Sequence, residues 1–100
     1  MSDPASRTSA ARLFRALGSE ARLRLIETLA GEPLTVSALT TATGMSQPLV
    51  SQHLATLREI GAVTVTRHGR EAIYEIADAH IAHIVTDALQ HVDEERTDRV

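Results

Sequence analysis

Residues 35–63, TVSALTTATGMSQPLVSQHLATLREIGAV, constrain the fold more than any other part of the chain. A short apolar run with helical spacing ends at Gly44, and a second begins at Ser46, a residue type that caps helix N-termini. In the second run apolar residues recur on one helical face, at Val50, Leu54 and Leu57. A short helix, a glycine turn and a capped helix form the pattern of a helix-turn-helix.

The segments on either side of this pattern predict further helices and one hairpin. Before it, two helical runs meet at Gly18 and Ser19. After it, AVTVTRHGREAIYEI alternates with a period of two, which predicts a β-hairpin with His68 and Gly69 at its tip. A last helix begins at Asp78. We therefore predict a mainly α chain with a β-hairpin, a winged helix-turn-helix with added helices at both ends.

Composition supports this fold and excludes several classes of site. Phe14 and Tyr74 are the only aromatic residues, so the core consists of aliphatic side chains, which favours helices over a sandwich. Cysteine is absent, which excludes disulfides, a thiol nucleophile and thiolate metal ligands. No apolar run approaches the roughly 20 residues of a membrane helix, and the N-terminus lacks a hydrophobic signal region. We expect a cytoplasmic protein without a membrane partner.

The charges are divided unevenly along the chain. All ten basic residues are arginine, and the net charge is -3. Residues 45–70 contain three arginines against one glutamate, whereas residues 78–95 contain five carboxylates and no basic residue. The middle of the chain is therefore mildly basic and its end is strongly acidic.

The second helix of the helix-turn-helix has a polar side opposite its apolar face. Glutamine can pair with adenine in the major groove, and serine can reach a base or a phosphate. A solvated surface would also explain such residues, but the preceding turn and the arginines flanking the hairpin favour DNA. The candidate DNA-binding residues are Gln47, Ser51, Gln52, Arg67 and Arg70. His53, at the edge of the apolar face, is expected to be packed or hydrogen-bonded rather than to contact a base.

The acidic last helix, DAHIAHIVTDALQHVDEE, is either a solvated face or a set of metal ligands. At 100° per residue one stripe is polar, whereas the apolar residues form a separate stripe. The polar stripe consists of His80, His83, Asp87, His91 and Glu94. His80 and His91 lie roughly 16.5 Å apart along the axis, too far for one ion with bonds of about 2 Å.

An antiparallel second copy of this helix would bring the two ends together. In a two-fold dimer, Asp78 and His80 of one chain would then face His91 and Glu94 of the other, and this would create the same site twice. Two imidazoles and two carboxylates suit tetrahedral Zn(II), or Co(II) as its mimic. His83 and Asp87 would lie near the crossing point, as cross-dimer contacts or as groups that support the ligands.

Three stretches resemble the ArsR/SmtB family of metal-responsive winged-helix repressors. These are LFRALGSEARLRLIETL, SQPLVSQHLATLREIGAV and RHGREAIYEI, and the resemblance extends over about residues 10–95. The spacing D-x-H-x10-H-x2-E, met by Asp78, His80, His91 and Glu94, is similar to the zinc site in the family's C-terminal helix. The cysteine pair of members that sense arsenic or cadmium is replaced by Thr35 and Ser37.

The resemblance implies a homodimer, built from the first and last helices, that binds operator DNA and releases it on binding metal. On this interpretation residues 8–95 form the DNA-binding and dimerisation domain, residues 1–7 a frayed N-terminus and residues 96–100 a short tail. The expected effector is Zn(II), with Co(II) or Ni(II) as alternatives. A metal-independent DNA-binding or dimerisation module is the competing class. No nucleophile or pocket for a small organic substrate is evident, so we do not expect an enzyme.

Overall fold

A computed structural model describes residues 3–98 of the protein. The described chain forms, in order, α1 (Pro4–Leu17), α2 (Glu20–Gly31), β1 (Leu34–Thr35), α3 (Val36–Thr43), α4 (Gln47–Glu59), β2 (Val63–His68), β3 (Glu71–Ile76) and α5 (Ala79–Asp98). This order confirms the predicted winged helix-turn-helix with added helices at both ends. Strand β1 was not predicted, because two residues are too few to show an alternating pattern.

Both ends of the chain are more helical than the sequence indicated. The Asp3 side chain accepts a hydrogen bond of 2.9 Å from the amide of Ser6, and Pro4 is tolerated in the first helical turn. Residues 4–7, which the sequence assigned to a disordered or frayed N-terminus, therefore belong to helix α1. At the other end α5 continues through residues 96–98, which had been assigned to the tail. Residues 1–2 and 99–100 lie outside the described part of the chain.

The turn between α3 and α4 is held by short local hydrogen bonds. Gly44 adopts the left-handed conformation with φ 74°, and its amide donates to the carbonyl of Thr40 at 2.9 Å. The buried hydroxyl of Thr43 donates to the carbonyl of Leu39 and accepts from the amide of Met45. These bonds satisfy backbone groups that the end of α3 leaves open, and they direct the chain into α4.

Helix α4 begins and ends as its sequence predicts. The Ser46 hydroxyl accepts from the amide of Leu49, which caps the N-terminus. At the other end Gly61 has φ 81°, and the amides of Gly61 and Ala62 donate to the carbonyls of Arg58 and Leu57. The three predicted apolar residues, Val50, Leu54 and Leu57, are all 0% exposed.

The three strands form an antiparallel sheet in the order β1-β3-β2. The pairing of β2 with β3 runs from Val63 opposite Ile76 to His68 opposite Glu71. The two-residue turn consists of Gly69 and residue 70, so the predicted hairpin tip at positions 68 and 69 was wrong by one position. Gly69 supplies the positive φ of 62° that a tight hairpin turn requires.

The core lies between α4 and the helices and strands packed around it. Its largest fully buried side chains are those of Leu25, Ile26, Leu39, Val50, Leu54, Leu57, Val63 and Val85. Helix α5 contributes Ile81 and Val85, and its Ile84 and Leu89 pack against the core, so this helix is anchored in the core of its own chain only as far as Leu89. No helix within residues 3–98 is both long enough and apolar enough to span a bilayer.

Replacement of Leu54 by alanine should lower the free energy of unfolding by about 2–5 kcal/mol, because it removes a fully buried side chain and leaves a cavity. Leu49→Ala is the matched control, since Leu49 lies on the same helix but is 39% exposed. Its loss should be below about 1 kcal/mol. Urea unfolding followed by circular dichroism measures both, and equal losses would contradict the burial that we describe.

Candidate nucleic-acid interface and metal centre

The polar side of α4 faces solvent along its first two turns. Gln47, Ser51 and Gln52 are all exposed, while the opposite side of the helix is fully buried. Because the buried side is held in the core, these three side chains can meet a ligand without rearrangement of the fold. Together with the N-terminal amides of the helix they form a surface of hydrogen-bonding groups that suits a DNA major groove.

The start of α4 and the hairpin lie next to each other. Gln47 lines one open cleft together with Glu71 and Ala72 of β3 and with the residues that begin α3. Those residues include Thr35 and Ser37. These are the two positions at which the family resemblance described above would place a cysteine pair. Thr35 instead caps α3, because its hydroxyl accepts from the amide of Ala38 at 3.1 Å. The side chain of Thr35 therefore stabilises the N-terminus of α3.

The hairpin carries two exposed arginines at its outer end. Arg67 lies on β2 opposite Ala72, and Arg70 lies in the turn itself. His68 and Glu71 face each other across the base of the turn. The hairpin is thus a wing with two guanidinium groups in solvent, the kind of side chain that contacts phosphates or enters a minor groove.

His53 is half-buried, and its Nδ1 accepts a hydrogen bond of 3.1 Å from Nε of Arg22. This confirms the prediction of a hydrogen-bonded histidine at the edge of the buried face. Arg22 was not among the residues predicted to be functional. Its partner lies 31 residues away on another helix, so no local pattern could have revealed it.

The polar stripe of α5 faces solvent along its whole length. His80, His83, Asp87, His91 and Glu94 are all exposed, whereas Ile81 and Val85 point into the core with 7% and 2% exposure. The predicted separation of polar and apolar stripes therefore matches the burial of this helix. Residues 91–97 are exposed on every side, because the helix extends past the core of its own chain.

The two ends of α5 carry the candidate ligands in different local settings. Asp78 precedes the helix and caps it, since its Oδ1 accepts from the amide of Ile81 at 3.1 Å. At the other end Oε1 of Glu94 accepts from Nε2 of Gln90 at 3.0 Å. Nε2 of His91 lies 3.7 Å from a carboxylate oxygen of Glu95. The contacts of Glu94 and His91 lie at the surface, whereas the cap bond of Asp78 is partly buried. Oδ2 of Asp78 takes no part in the cap.

Among residues 3–98 no three of these ligand-type side chains come together in one chain. The structure places Asp78 and His80 at the start of α5, and His91 and Glu94 more than two turns later. Neither end alone supplies the four ligands of a closed zinc site. A metal site formed from these residues therefore requires a second chain.

An apolar surface lies between α1 and α5. Phe14 is 58% exposed and Val92 is 48% exposed, although both are large apolar side chains. Phe14 also lines a shallow groove together with Leu17, Leu23, Ile84 and Ala88. Exposed apolar side chains that adjoin such a groove are typical of surfaces that bind another protein.

The described fold, with its exposed helix and its arginine-bearing wing, is that of a winged helix-turn-helix DNA-binding protein. The family "Bacterial regulatory protein, arsR family" matches residues 19–65. The transcriptional regulator NmtR of Mycobacterium tuberculosis (strain H37Rv) is 35% identical over 89 residues, which cover 89% of this chain and 74% of NmtR. The chain belongs to the arsR family of bacterial regulatory proteins.

Other relatives agree with this assignment. The transcriptional repressor SmtB of the same strain is 44% identical over 87 residues, which cover 87% of this chain and 64% of SmtB. This chain thus matches slightly less than two thirds of that relative's length. A homodimeric winged helix-turn-helix DNA-binding domain from Mycobacterium bovis superposes with a TM-score of 0.84 at 31% identity, and the match covers 100% of this chain and 94% of that domain. These relatives are DNA-binding regulators, and the prediction that the chain is not an enzyme is confirmed.

Replacement of Asp78 by alanine should lower the free energy of unfolding by about 1 kcal/mol, because the amide of Ile81 loses its cap. Asp78→Asn should leave the stability nearly unchanged, since asparagine caps helices as well as aspartate does. Urea unfolding of the two variants without added metal measures the difference. If the alanine variant proves as stable as the asparagine variant, the cap does not stabilise α5.

Proposed function

We propose that the protein is a metal-responsive transcriptional repressor that binds operator DNA as a homodimer and releases it when Zn(II) binds between the subunits. The observation that carries this proposal is the arrangement of α5. Its exposed polar stripe holds half of a ligand set at each end, and the two halves are too far apart to meet in one chain. Membership of the arsR family supports the DNA-binding part of the proposal.

A second copy of the chain is the partner that best fits the surface between α1 and α5. The groove beside Phe14 is apolar, and the end of α5 that bears Val92 extends beyond its own core. The two helices are also oppositely charged, because α1 carries arginines and α5 carries carboxylates. The homodimeric state of the M. bovis domain supports the same assembly.

The proposed metal site uses Asp78 and His80 of one subunit with His91 and Glu94 of the other. The donor set fits Zn(II), because two imidazoles and two carboxylates satisfy a tetrahedral ion without sulfur. None of the four side chains is committed to the core, and Oδ2 of Asp78 is left over from the cap. Co(II) and Ni(II) are the alternative effectors. His83 and Asp87 support the site or contact the partner near the two-fold axis.

Zinc acts on DNA binding through the relative position of the two subunits. Without metal the carboxylates of the two α5 helices repel each other, and a bound cation removes that repulsion and fixes the helices together. If the fixed arrangement misplaces the recognition helices α4 for successive major grooves, metal and DNA oppose each other, and this coupling is reciprocal. In the DNA complex Gln47, Ser51 and Gln52 contact bases, while Arg67 and Arg70 contact the backbone or the minor groove.

Addition of saturating Zn(II) at fixed salt should weaken operator binding by about 5- to 150-fold, the usual range of allosteric coupling. Fluorescence anisotropy measures this effect on the duplex that the protein selects from a random-sequence library. Parallel titrations with Co(II) and Ni(II) identify the preferred effector. If the affinity is the same with and without metal, the protein is the metal-independent DNA-binding module instead.

The double variant His80→Ala with His91→Ala should keep its operator affinity but lose the response to zinc, since it lacks both imidazole ligands. His83→Ala removes an imidazole of the same stripe that is not one of the four proposed ligands, and it should still bind about one Zn(II) per chain, as two symmetric sites in a dimer require. Native mass spectrometry measures the stoichiometry. A double variant that still releases DNA on zinc addition would place the regulatory site elsewhere.

Removal of the two wing guanidinium groups should make operator binding less dependent on salt. For Arg67→Ala with Arg70→Ala, the magnitude of the slope of log affinity against log salt should fall by about four, roughly one for each of the four phosphate contacts that a dimer with two wings loses. Arg24→Ala is the control, since this arginine is exposed on α2. Anisotropy titrations between about 50 and 200 mM salt give the slopes. If the slope is unchanged in the double variant, Arg67 and Arg70 do not contact phosphates.

A further inference from the structure

A single side chain, that of Arg22, connects three helices. It lies in the first turn of α2 and is half-buried. Its Nε donates to Nδ1 of His53 on α4 at 3.1 Å, and its Nη1 donates to the carbonyl of Ala16 on α1 at 3.0 Å. One rigid, planar guanidinium group therefore joins the end of α1 to the middle of the recognition helix.

The contact with α1 is made at a point where the backbone needs a donor. The last four carbonyls of a helix have no partner within the helix. Of those at the end of α1, the carbonyl of Arg15 accepts from Gly18, and that of Leu17 accepts from Ser19. Arg22 supplies the bond to the carbonyl between them, that of Ala16, whose residue is 9% exposed. The guanidinium group is thus fixed to a buried part of α1.

The contact with α4 requires a particular proton arrangement on His53. An arginine side chain is always a donor and never an acceptor, so Nδ1 must carry its lone pair, and the proton of the neutral ring lies on Nε2. His53 follows Gln52 directly and lies on the flank of α4, between its buried face and its exposed face. The bond therefore acts at the edge of the surface proposed to meet the major groove.

Apolar packing and this hydrogen bond constrain α4 in different ways. The contacts of Val50, Leu54 and Leu57 are strong but not directional, so they tolerate small rotations and shifts of the helix. A hydrogen bond of 3.1 Å to a charged donor depends on both distance and angle. The Arg22–His53 bond thus adds the directional constraint that the apolar face of α4 lacks.

We propose that Arg22 and His53 are positioning residues for DNA binding, and that they fix the recognition helix α4 relative to α1. Neither side chain needs to touch DNA to perform this role. Since α1 belongs to the dimer interface proposed above, the bond also sets the relation between the two recognition helices of a dimer. Only this last step depends on the proposed dimer.

The first test compares operator affinities of the full-length chain without metal. Arg22→Ala and His53→Ala should each weaken binding about tenfold, the effect expected for one lost hydrogen bond to a charged group. Arg24→Ala removes the same charge from an exposed position on the same helix, and it should change the affinity by less than about threefold. The double variant Arg22→Ala with His53→Ala should be no weaker than the weaker single variant, because both remove the same bond.

Rescue by asparagine separates positioning from general destabilisation. Asparagine carries an acceptor oxygen on Cγ, where histidine carries Nδ1, so His53→Asn should bind the operator within about threefold of the unchanged protein. Circular dichroism at the assay temperature confirms that each variant is folded. If Arg22→Ala does not fold, the pair His53→Ala and His53→Asn still decides the question. Equal losses in those two variants would overturn the proposal, as would unchanged affinity in His53→Ala.

A second measurement tests the position of α4 directly. For the unchanged protein, two base pairs inserted between the half-sites of the selected duplex should weaken binding, because the recognition helices are held at a fixed spacing. The dissociation constant for the duplex with the insertion is divided by that for the selected duplex. In Arg22→Ala this ratio should fall by about tenfold or more towards one, since the bond that holds each recognition helix is missing. An unchanged ratio contradicts the positioning role. If light scattering shows a monomer, the proposed dimer is rejected. The affinities of Arg22→Ala, His53→Ala and His53→Asn then still test the positioning role.

Discussion

The burial of one face of α4 is the constraint on which the rest of the structure depends. Val50, Leu54 and Leu57 are removed completely from solvent, and α2, α3 and β2 all pack around this helix. A helix held in this way presents its opposite side to solvent, within the small rotations that apolar packing allows. The exposed glutamines and serine of α4 are therefore determined by the same packing that stabilises the domain, so that stability and recognition share one element.

Helix α5 obeys a different constraint, because it is longer than the core that supports it. Ile81 and Val85 anchor its first half, while residues 91–97 are all exposed. A monomer gains little from such an extension, since exposed helical turns add almost no buried apolar area. The extension becomes stabilising when a second chain covers it. The proposed dimerisation and the proposed metal binding thus depend on the same feature, a helix that extends beyond the core of its own chain.

Most of the fold could be predicted because the decisive signals are local. Ser46 caps α4, Gly44 permits the left-handed turn, and the period of the apolar residues distinguishes the hairpin from the helices. The exposed positions of the candidate site followed from the same periodicity. The failures have equally local causes. The capping role of Asp3 was overlooked, and the single glycine of the hairpin turn fits either of two adjacent tips.

What could not be predicted depends on contacts distant in sequence. Strand β1 exists because Leu34 and Thr35 pair with β3, some forty residues later in the chain. Arg22 resembles any arginine of an amphipathic helix until the fold brings His53 beside it. The proposed metal site is harder still to predict, since its ligands are expected to come from two chains. Periodicity can indicate that such a set is divided, but the assembled geometry belongs to the dimer.

The order of the small sheet has a consequence for how the protein meets a duplex. The inner strand of the wing, β3, is paired on its other side with β1, which leads directly into α3. The wing is therefore paired at Ile73 and Tyr74 with a strand that continues into the helix-turn-helix, and this pairing restricts its bending there. If the wing is restrained in this way, the conformational change needed for a close fit in the proposed complex falls mainly on the DNA. In the proposed complex, base pairs between the helix and the wing would then contribute through their flexibility, and sequence preference would extend to positions that no side chain touches.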